Sequence, residues 1–218
     1  MPDPGPLVGR GRAADVYDVS GGRVLRRYRT DHDSSGEAAI QSHLHAHGFP
    51  VPAVHDVDGR DLVMDRVEGP VAIEEIKRRP WTTAAHGRLL ADLHRRLGEV
   101  PPLDGGHVLH LDLHPGNVIC SPDGPVVIDW SNAAAGDRAA DLATTWMLLA
   151  TGIPDGGRLE RVAAAVLRRR LLSAYLARVD AAAARRALAV VCARRLADPN
   201  LRPDEVASVE ALRASAGG

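Results

Sequence analysis

The chain of 218 residues is short of several residue types at once, with 1 phenylalanine, 3 tyrosines, 3 tryptophans and 2 cysteines. Cys120 and Cys192 stand far apart and form no CxxC or Cys/His pattern. That argues against a disulfide framework or a structural zinc site and makes a reducing cytoplasm the expected location. Charge of one sign is lacking as well: the formal net charge is -1, so the basic excess of a dedicated nucleic-acid binder is missing and no nucleic-acid partner is expected. No apolar run is long enough to cross a bilayer, and the opening Met1-Pro-Asp-Pro-Gly-Pro has neither a basic nor an apolar stretch of an export signal. A soluble chain without a membrane partner is expected. Lysine is all but absent, Lys77 being the only one, and the remaining basic residues are arginine. Arginine at a position where lysine is usual can therefore partly reflect a compositional bias.

What remains is ordinary globular material, 45% hydrophobic and 25% charged. Over 7–67 the pattern is mostly strand-like. Residues 15–19 and 23–28 read as a hairpin about Gly21-Gly22. A helix is expected over 35–47, with Ile40 and Leu44 on one face and a stop at Gly48. Residues 53–57 and 61–67, joined by Asp58-Gly59-Arg60, read as two further strands. After Glu68-Gly69-Pro70, the best candidate linker, the pattern turns helical. His86, Leu90, Leu93 and Leu97 fall at helical spacing, and residues 117–120 and 125–128 form two short β-like stretches about Ser121-Pro-Asp-Gly124. Beyond Asp141 one amphipathic face is marked by Leu159, Val162, Val166 and Leu167, another by Leu188, Val191, Cys192 and Leu196. Residues 214–218 are expected to be disordered.

The chemistry concentrates in His110-Leu-Asp112-Leu-His114-Pro-Gly-Asn117, followed by Asp129 in Val126-Val-Ile-Asp-Trp130. Phosphoryl transfer from ATP needs a carboxylate to orient or deprotonate the acceptor hydroxyl, and oxygen ligands to hold magnesium against the phosphates. Asp112 suits the first task, and Asn117 and Asp129 offer hard oxygens for the second. Two other readings are open. One is an Asp- and His-rich surface loop closed by a Pro-Gly turn. The other is a metal site of His107, His110 and His114, which would suit zinc but lacks an HExxH-type partner pattern.

The segment 110–117 resembles the catalytic loop of the aminoglycoside and choline-type kinases, relatives of the protein kinases whose loop has the form H-x-D-x-x-x-x-N. Ile128-Asp129-Trp130 stands where those relatives carry Asp-Phe-Gly. The resemblance implies an α+β, two-lobed protein kinase-like fold: a small β-rich nucleotide-binding lobe with one helix over 1–68, and a larger helical lobe over 69–218 for catalysis and acceptor binding. It implies ATP and Mg²⁺ as cofactors, Asp112 as catalytic base, Asn117 and Asp129 as metal ligands, and His110 as a support for the loop.

In the N-terminal part, Gly9 and Gly11 resemble the family's phosphate-covering loop, with Ala14 where a third glycine often sits; a plain hairpin turn is the other reading. Arg26 falls where the family usually carries a lysine that contacts the ATP phosphates, with Arg27 as an alternative register. Arginine keeps the charge but presents a bulkier planar fork, which implies reduced turnover. Glu37 resembles the family's ion-pair partner of that basic residue, yet Ser34 and Glu37 also have the spacing of a capping box. Met64, Asp65 and Val67 would form the hinge whose backbone bonds the adenine edge. Asp141, in a D-x-x-x-D-L-A segment, would bond the backbone of the catalytic loop or simply cap a helix. The resemblance is expected to fade after residue 143, where seven acidic residues face twelve arginines. These arginines read first as the solvated faces of amphipathic helices; where some line the cleft, a neutral or anionic hydroxyl acceptor fits better than a polycation. A small-molecule kinase is the leading reading, a non-catalytic nucleotide-binding module the alternative, and a protein kinase weaker for want of an activation segment.

Overall fold

A computed structural model describes residues 1–11, 13–152, 158–199 and 201–216, the side chains of 158–161 lying outside that description. In chain order the elements are β1 (Leu7–Arg10), β2 (Ala14–Val19), β3 (Arg23–Tyr28), α1 (Ser35–Ala46), β4 (Val54–Asp58), β5 (Asp61–Asp65), α2 (Ala72–Arg78), α3 (Thr83–Leu97), β6 (His107–Leu109), β7 (Val118–Ser121), β8 (Gly124–Val127), β9 (Ala134–Gly136), α4 (Arg138–Thr151), α5 (Arg158–Leu176), α6 (Ala181–Leu196) and α7 (Pro203–Ala216). This is the α+β class read from the sequence. The chain divides into two compact units, Met1–Pro70 with Val118–Ala133, and Val71–Asn117 with Ala134–Gly218.

The first unit is built on a five-stranded antiparallel sheet in the order β1-β2-β3-β5-β4. β5 reads Asp-Leu-Val-Met-Asp, and its Leu62, Val63 and Met64 are all buried, as a strand with neighbours on either side and a helix over one face requires. Helix α1 supplies that cover: Ala38 packs with Leu62 and Met64, flanked by Val24 and Val54. The buried stripe of α1 is Glu37, Ala38, Gln41 and Leu44, a helical repeat with a carboxylate inside it; Ile40 lies only at its edge. The helix ends at Gly48, whose φ of 73° supplies the left-handed residue that closes such ends. The β7–β8 hairpin belongs to this unit, where Val127 N–H donates to Pro50 O at 2.8 Å and Trp130 meets Phe49 edge-on at 5.7 Å. The chain's one phenylalanine thus seats the segment that carries Asp129.

The second unit is helical, with α3 packed on α5, α4 on α6, and α6 on α7. The expected stripe on α3 is all buried, from His86 through Leu90 and Leu93 to Leu97. Gly87 on the same helix lies so close to α5 that a Cβ there would come within 2.4 Å of the Leu171 carbonyl oxygen. Gly87→Ala is accordingly expected to cost about 1–3 kcal/mol, read as a lower denaturant midpoint at unchanged m-value, because the clash is with backbone that has no rotamer to yield.

Two expectations for the C-terminal part need correction. On α5 the inward residues are Leu171 and Tyr175, whereas Val162 and Val166 are 59% and 61% exposed. The helix turns a different stripe to α3 than the apolar spacing suggested, and the Leu159 side chain lies outside the described residues. Residues 214–216 continue α7, where Val209 is buried and Arg185 of α6 donates to Ser215 O at 3.0 Å; the last two residues lie outside the description. The short β6–β9 pair, His107↔Gly136 to Leu109↔Ala134, is new, its three-residue strands being too brief to leave a pattern. No helix among the described residues is long and apolar enough to cross a membrane.

Candidate functional site

The segment 110–117 in the second unit is held in shape almost entirely by side chains. Asp141, buried in the first turn of α4, accepts His110 N–H at 3.0 Å on Oδ2 and Leu111 N–H at 2.8 Å on Oδ1. One turn later on the same face of α4, Thr145 Oγ1 donates to Leu113 O at 2.8 Å. These bonds straddle Leu111, which sits at φ 58°, a conformation unfavourable for a bulky side chain and kept only where its surroundings fix it. Asp141 thus bonds the loop backbone, while Asp137 caps α4 by accepting Ala139 N–H at 2.9 Å.

Behind Asp141 stands His94 of α3, with Nε2 at 3.5 Å from Oδ2, close enough for ion pairing but without hydrogen-bond geometry. Its Nδ1 lies 3.2 Å from the Tyr175 hydroxyl. Burial pushes the Asp141 carboxyl up, but His94 and the His110 N–H outweigh it and hold the group below the usual carboxylate range. Burial and the Asp141 charge push the Tyr175 phenol up, so it remains a donor.

Within the loop, Asn117 Nδ2 donates to Asp112 Oδ2 at 3.1 Å and to Asp112 O at 2.9 Å. Asp112 and Asn117 are therefore locked together across a 3₁₀ turn, Pro115–Asn117. His110 is fully buried and its Nδ1 accepts the Asp112 N–H at 3.2 Å, shaping the turn rather than reaching out of it. His114 Nδ1 accepts the Gly116 N–H at 2.9 Å, which places its proton on Nε2, 3.8 Å from Asp112 Oδ1. With these nitrogens turned to the loop backbone, the histidine metal site has no support; no cluster of three or more His, Cys, Asp or Glu among the described residues could hold a metal ion.

In the first unit, Arg26 on β3 joins two carboxylates. Its Nη1 donates to Glu37 Oε1 at 3.0 Å and its Nη2 to Asp129 Oδ1 at 2.6 Å. Tyr28, next but one on β3, donates to the other Glu37 oxygen at 2.6 Å, and the Arg26 guanidinium lies 5.0 Å from the Tyr28 ring centre. Burial opposes the Arg26 charge, but Glu37 and Asp129 override it and keep the group firmly protonated. The Tyr28 phenol is pushed far up by burial and the Glu37 charge.

Glu37 is thus an ion-pair partner and not half of a capping box. Ser34 makes no side-chain cap bond, its buried Oγ having no hydrogen-bond partner, and Asp33 bonds the Ser35 N–H instead at 2.9 Å. Arg27, the alternative register, faces away to Asp61, at 2.8 Å and 2.6 Å. Asp129 also accepts from Ser131 Oγ at 2.7 Å and, at φ 65°, is with Leu111 the only non-glycine residue of positive φ among the described residues.

The remaining expected site residues lie in the first unit too. Gly9 pairs with Val16 in the β1–β2 hairpin, and Gly11 N–H donates to Ala14 O at 2.8 Å, closing the turn. Arg29 Nη2 clamps that turn by donating to Gly11 O at 2.9 Å while pairing with Asp15. Met64 lies inside β5, and Asp65 at its end bonds Ala53 O through its N–H and His55 through its carboxylate. Val67 follows beyond the strand. Sequence reasoning missed Thr145, His94, Tyr28 and Ser131. Thr145 was within reach, since it stands four residues after Asp141 on a helix and shares its face. The other three owe their positions to tertiary packing.

The fold, a sheet unit and a helical unit with a His-x-Asp loop anchored in the second, is protein kinase-like. The phosphotransferase enzyme family matches residues 106–189 and the RIO domain matches residues 17–143. The RIO domain model spans more than half of the chain, which belongs to that family, and the phosphotransferase enzyme family model resembles it over the shorter stretch. The shorter match runs to residue 189, further than the expected fading at 143.

Among solved structures, a thermostable mutant of aminoglycoside phosphotransferase APH(4)-Ia, in ternary complex with AMP-PNP and hygromycin B, is 14% identical with a TM-score of 0.68 over 97% of this chain and 92% of that one. A choline/ethanolamine kinase family protein from Mesorhizobium loti is 18% identical with a TM-score of 0.56 over 98% and 87%. Likeness at such identities is likeness of fold, and it extends through the C-terminal helices. Thiamine kinases of Shigella boydii and Escherichia coli are 46% identical over 39 residues, 18% of this chain and 14% of the relatives' length.

Proposed function

We propose that the chain is an ATP-dependent small-molecule kinase that transfers the γ-phosphoryl group to a hydroxyl of its acceptor. The observation that carries the reading is the Asp112 carboxylate, oriented by Asn117 in a loop whose backbone Asp141 and Thr145 pin. A base on a fixed loop meets the geometric demand of in-line transfer, where positioning supplies much of the rate. The acceptor hydroxyl gives its proton to Asp112, its oxygen bonds to the γ-phosphorus, and the bond from that phosphorus to the bridging oxygen breaks, releasing ADP.

Asn117 and Asp129 present amide and carboxylate oxygen, the hard donors that Mg²⁺ selects, so the donor set fits that ion. The metal would neutralise charge on the phosphates. Arg26 would place a permanent positive charge on the nucleotide side, Gly9 and Gly11 would let the chain approach phosphate closely for want of a Cβ, and the segment of Met64, Asp65 and Val67 would serve the adenine through backbone groups that the sheet does not use. The cytoplasm is the proposed location.

For the acceptor, the arginine excess after residue 141 favours a neutral or anionic compound. The test is ADP release in the presence of magnesium and a panel spanning neutral and anionic polyols, the monocations thiamine, choline and ethanolamine, and the polycation hygromycin B. The expected result is stimulation by at least one neutral or anionic member and none by polycations. Magnesium-dependent ATP binding with no stimulated or basal turnover would favour a non-catalytic module instead.

A further inference from the structure

We propose that Arg26 and the divalent cation compete for the Asp129 carboxylate, so that Arg26 sets the cation concentration the site requires. The inference rests on the reading of Asp129 as a metal ligand and concerns what this chain's arginine does to it.

A carboxylate oxygen offers two acceptor positions, and Asp129 Oδ1 already takes two donors, Arg26 Nη2 at 2.6 Å and Ser131 Oγ at 2.7 Å. A hard cation at Oδ1 must displace one of them. A cation at Oδ2 instead keeps the guanidinium charge a few ångströms away, and the Arg26 side chain is only 11% exposed, which leaves little solvent to screen the repulsion.

The guanidinium is built for this double role. Its planar fork gives one nitrogen to Glu37 and the other to Asp129, so a single group holds two carboxylates. Glu37 does not move with it, being 3% exposed in its side chain and bonded through its second oxygen to the Tyr28 hydroxyl at 2.6 Å. When a cation takes Asp129, Arg26 falls back on Glu37 without becoming a buried unpaired charge. Glu37 therefore favours the cation by offering Arg26 an alternative, and Arg26 opposes it.

The experiment is titration of Mn²⁺ into the full chain without nucleotide, free Mn²⁺ being read by electron paramagnetic resonance and the fold by circular dichroism. Arg26→Gln and Arg26→Met, which remove the competing charge, are expected to bind Mn²⁺ about tenfold more tightly than the native chain. Glu37→Gln, which removes the fall-back, is expected to bind it roughly threefold more weakly. Unchanged or weaker binding by folded Arg26→Gln and Arg26→Met overturns the competition. If neither variant folds, Glu37→Gln decides, an affinity equal to or above native overturning it. Asp129→Asn is expected to abolish binding. Retained binding in that variant would overturn the metal-ligand reading itself, a failure distinct from a failure of the competition.

Discussion

Asp112→Ala is expected to lower acceptor-stimulated ADP release by a factor of about 10²–10⁴, the usual contribution of a positioned general base. The loss should fall on kcat with KM for ATP little changed, because the base acts on the acceptor hydroxyl in the transition state. The fold should survive. The Asp112 side chain is 28% exposed, and the bond from Asn117 Nδ2 to the Asp112 carbonyl, 2.9 Å long, does not need that side chain. A thermal midpoint within a few degrees of native, together with lost turnover, is the outcome that separates a chemical role from a structural one. Asp112→Asn sharpens the comparison, since it keeps the shape and a bond to Asn117 but cannot accept the proton.

The second large effect is on stability. Asp141→Ala is expected to cost about 3–5 kcal/mol, measured as a lower denaturant midpoint, because it strands the His110 and Leu111 N–H groups in a buried site and leaves His94 without its carboxylate. It also removes the restraint on the left-handed Leu111, so turnover should fall with stability. The pH dependence follows from the sign of the shift. The Asp141 carboxyl is held below its ordinary value in the folded chain, so its contribution is fully present above the unfolded value near 3.8 and is lost as pH falls through the lower folded value. The native chain should therefore lose stability in acid more steeply than the Asp141→Ala variant.

Much of this was legible in the residues. The hairpin 15–28, helix α1 with its stop at Gly48, and the β7–β8 pair about Ser121-Pro-Asp-Gly124 each carry a local signal, a turn sequence or a period, that needs no tertiary context. The role of Glu37 was different in kind. Its spacing from Ser34 fits a capping box and its distance from Arg26 fits an ion pair, and only the buried side of α1, which turns Glu37 toward β3, decides between them. Tyr28 and Ser131 were illegible for the same reason, since a phenol and a hydroxyl gain their roles only from the carboxylates that tertiary folding brings to them. Val162 and Val166 show the opposite failure: a clean apolar period on α5 is turned to solvent, because Gly87 and Leu171 fix a different stripe against α3.

The most direct test of the account is calorimetric titration of ATP into the native chain with and without Mg²⁺, repeated on Asp129→Asn. The account predicts saturable binding that requires the ion and disappears in the variant. Binding indifferent to Mg²⁺ or to the loss of Asp129, or no binding at millimolar ATP, would contradict it.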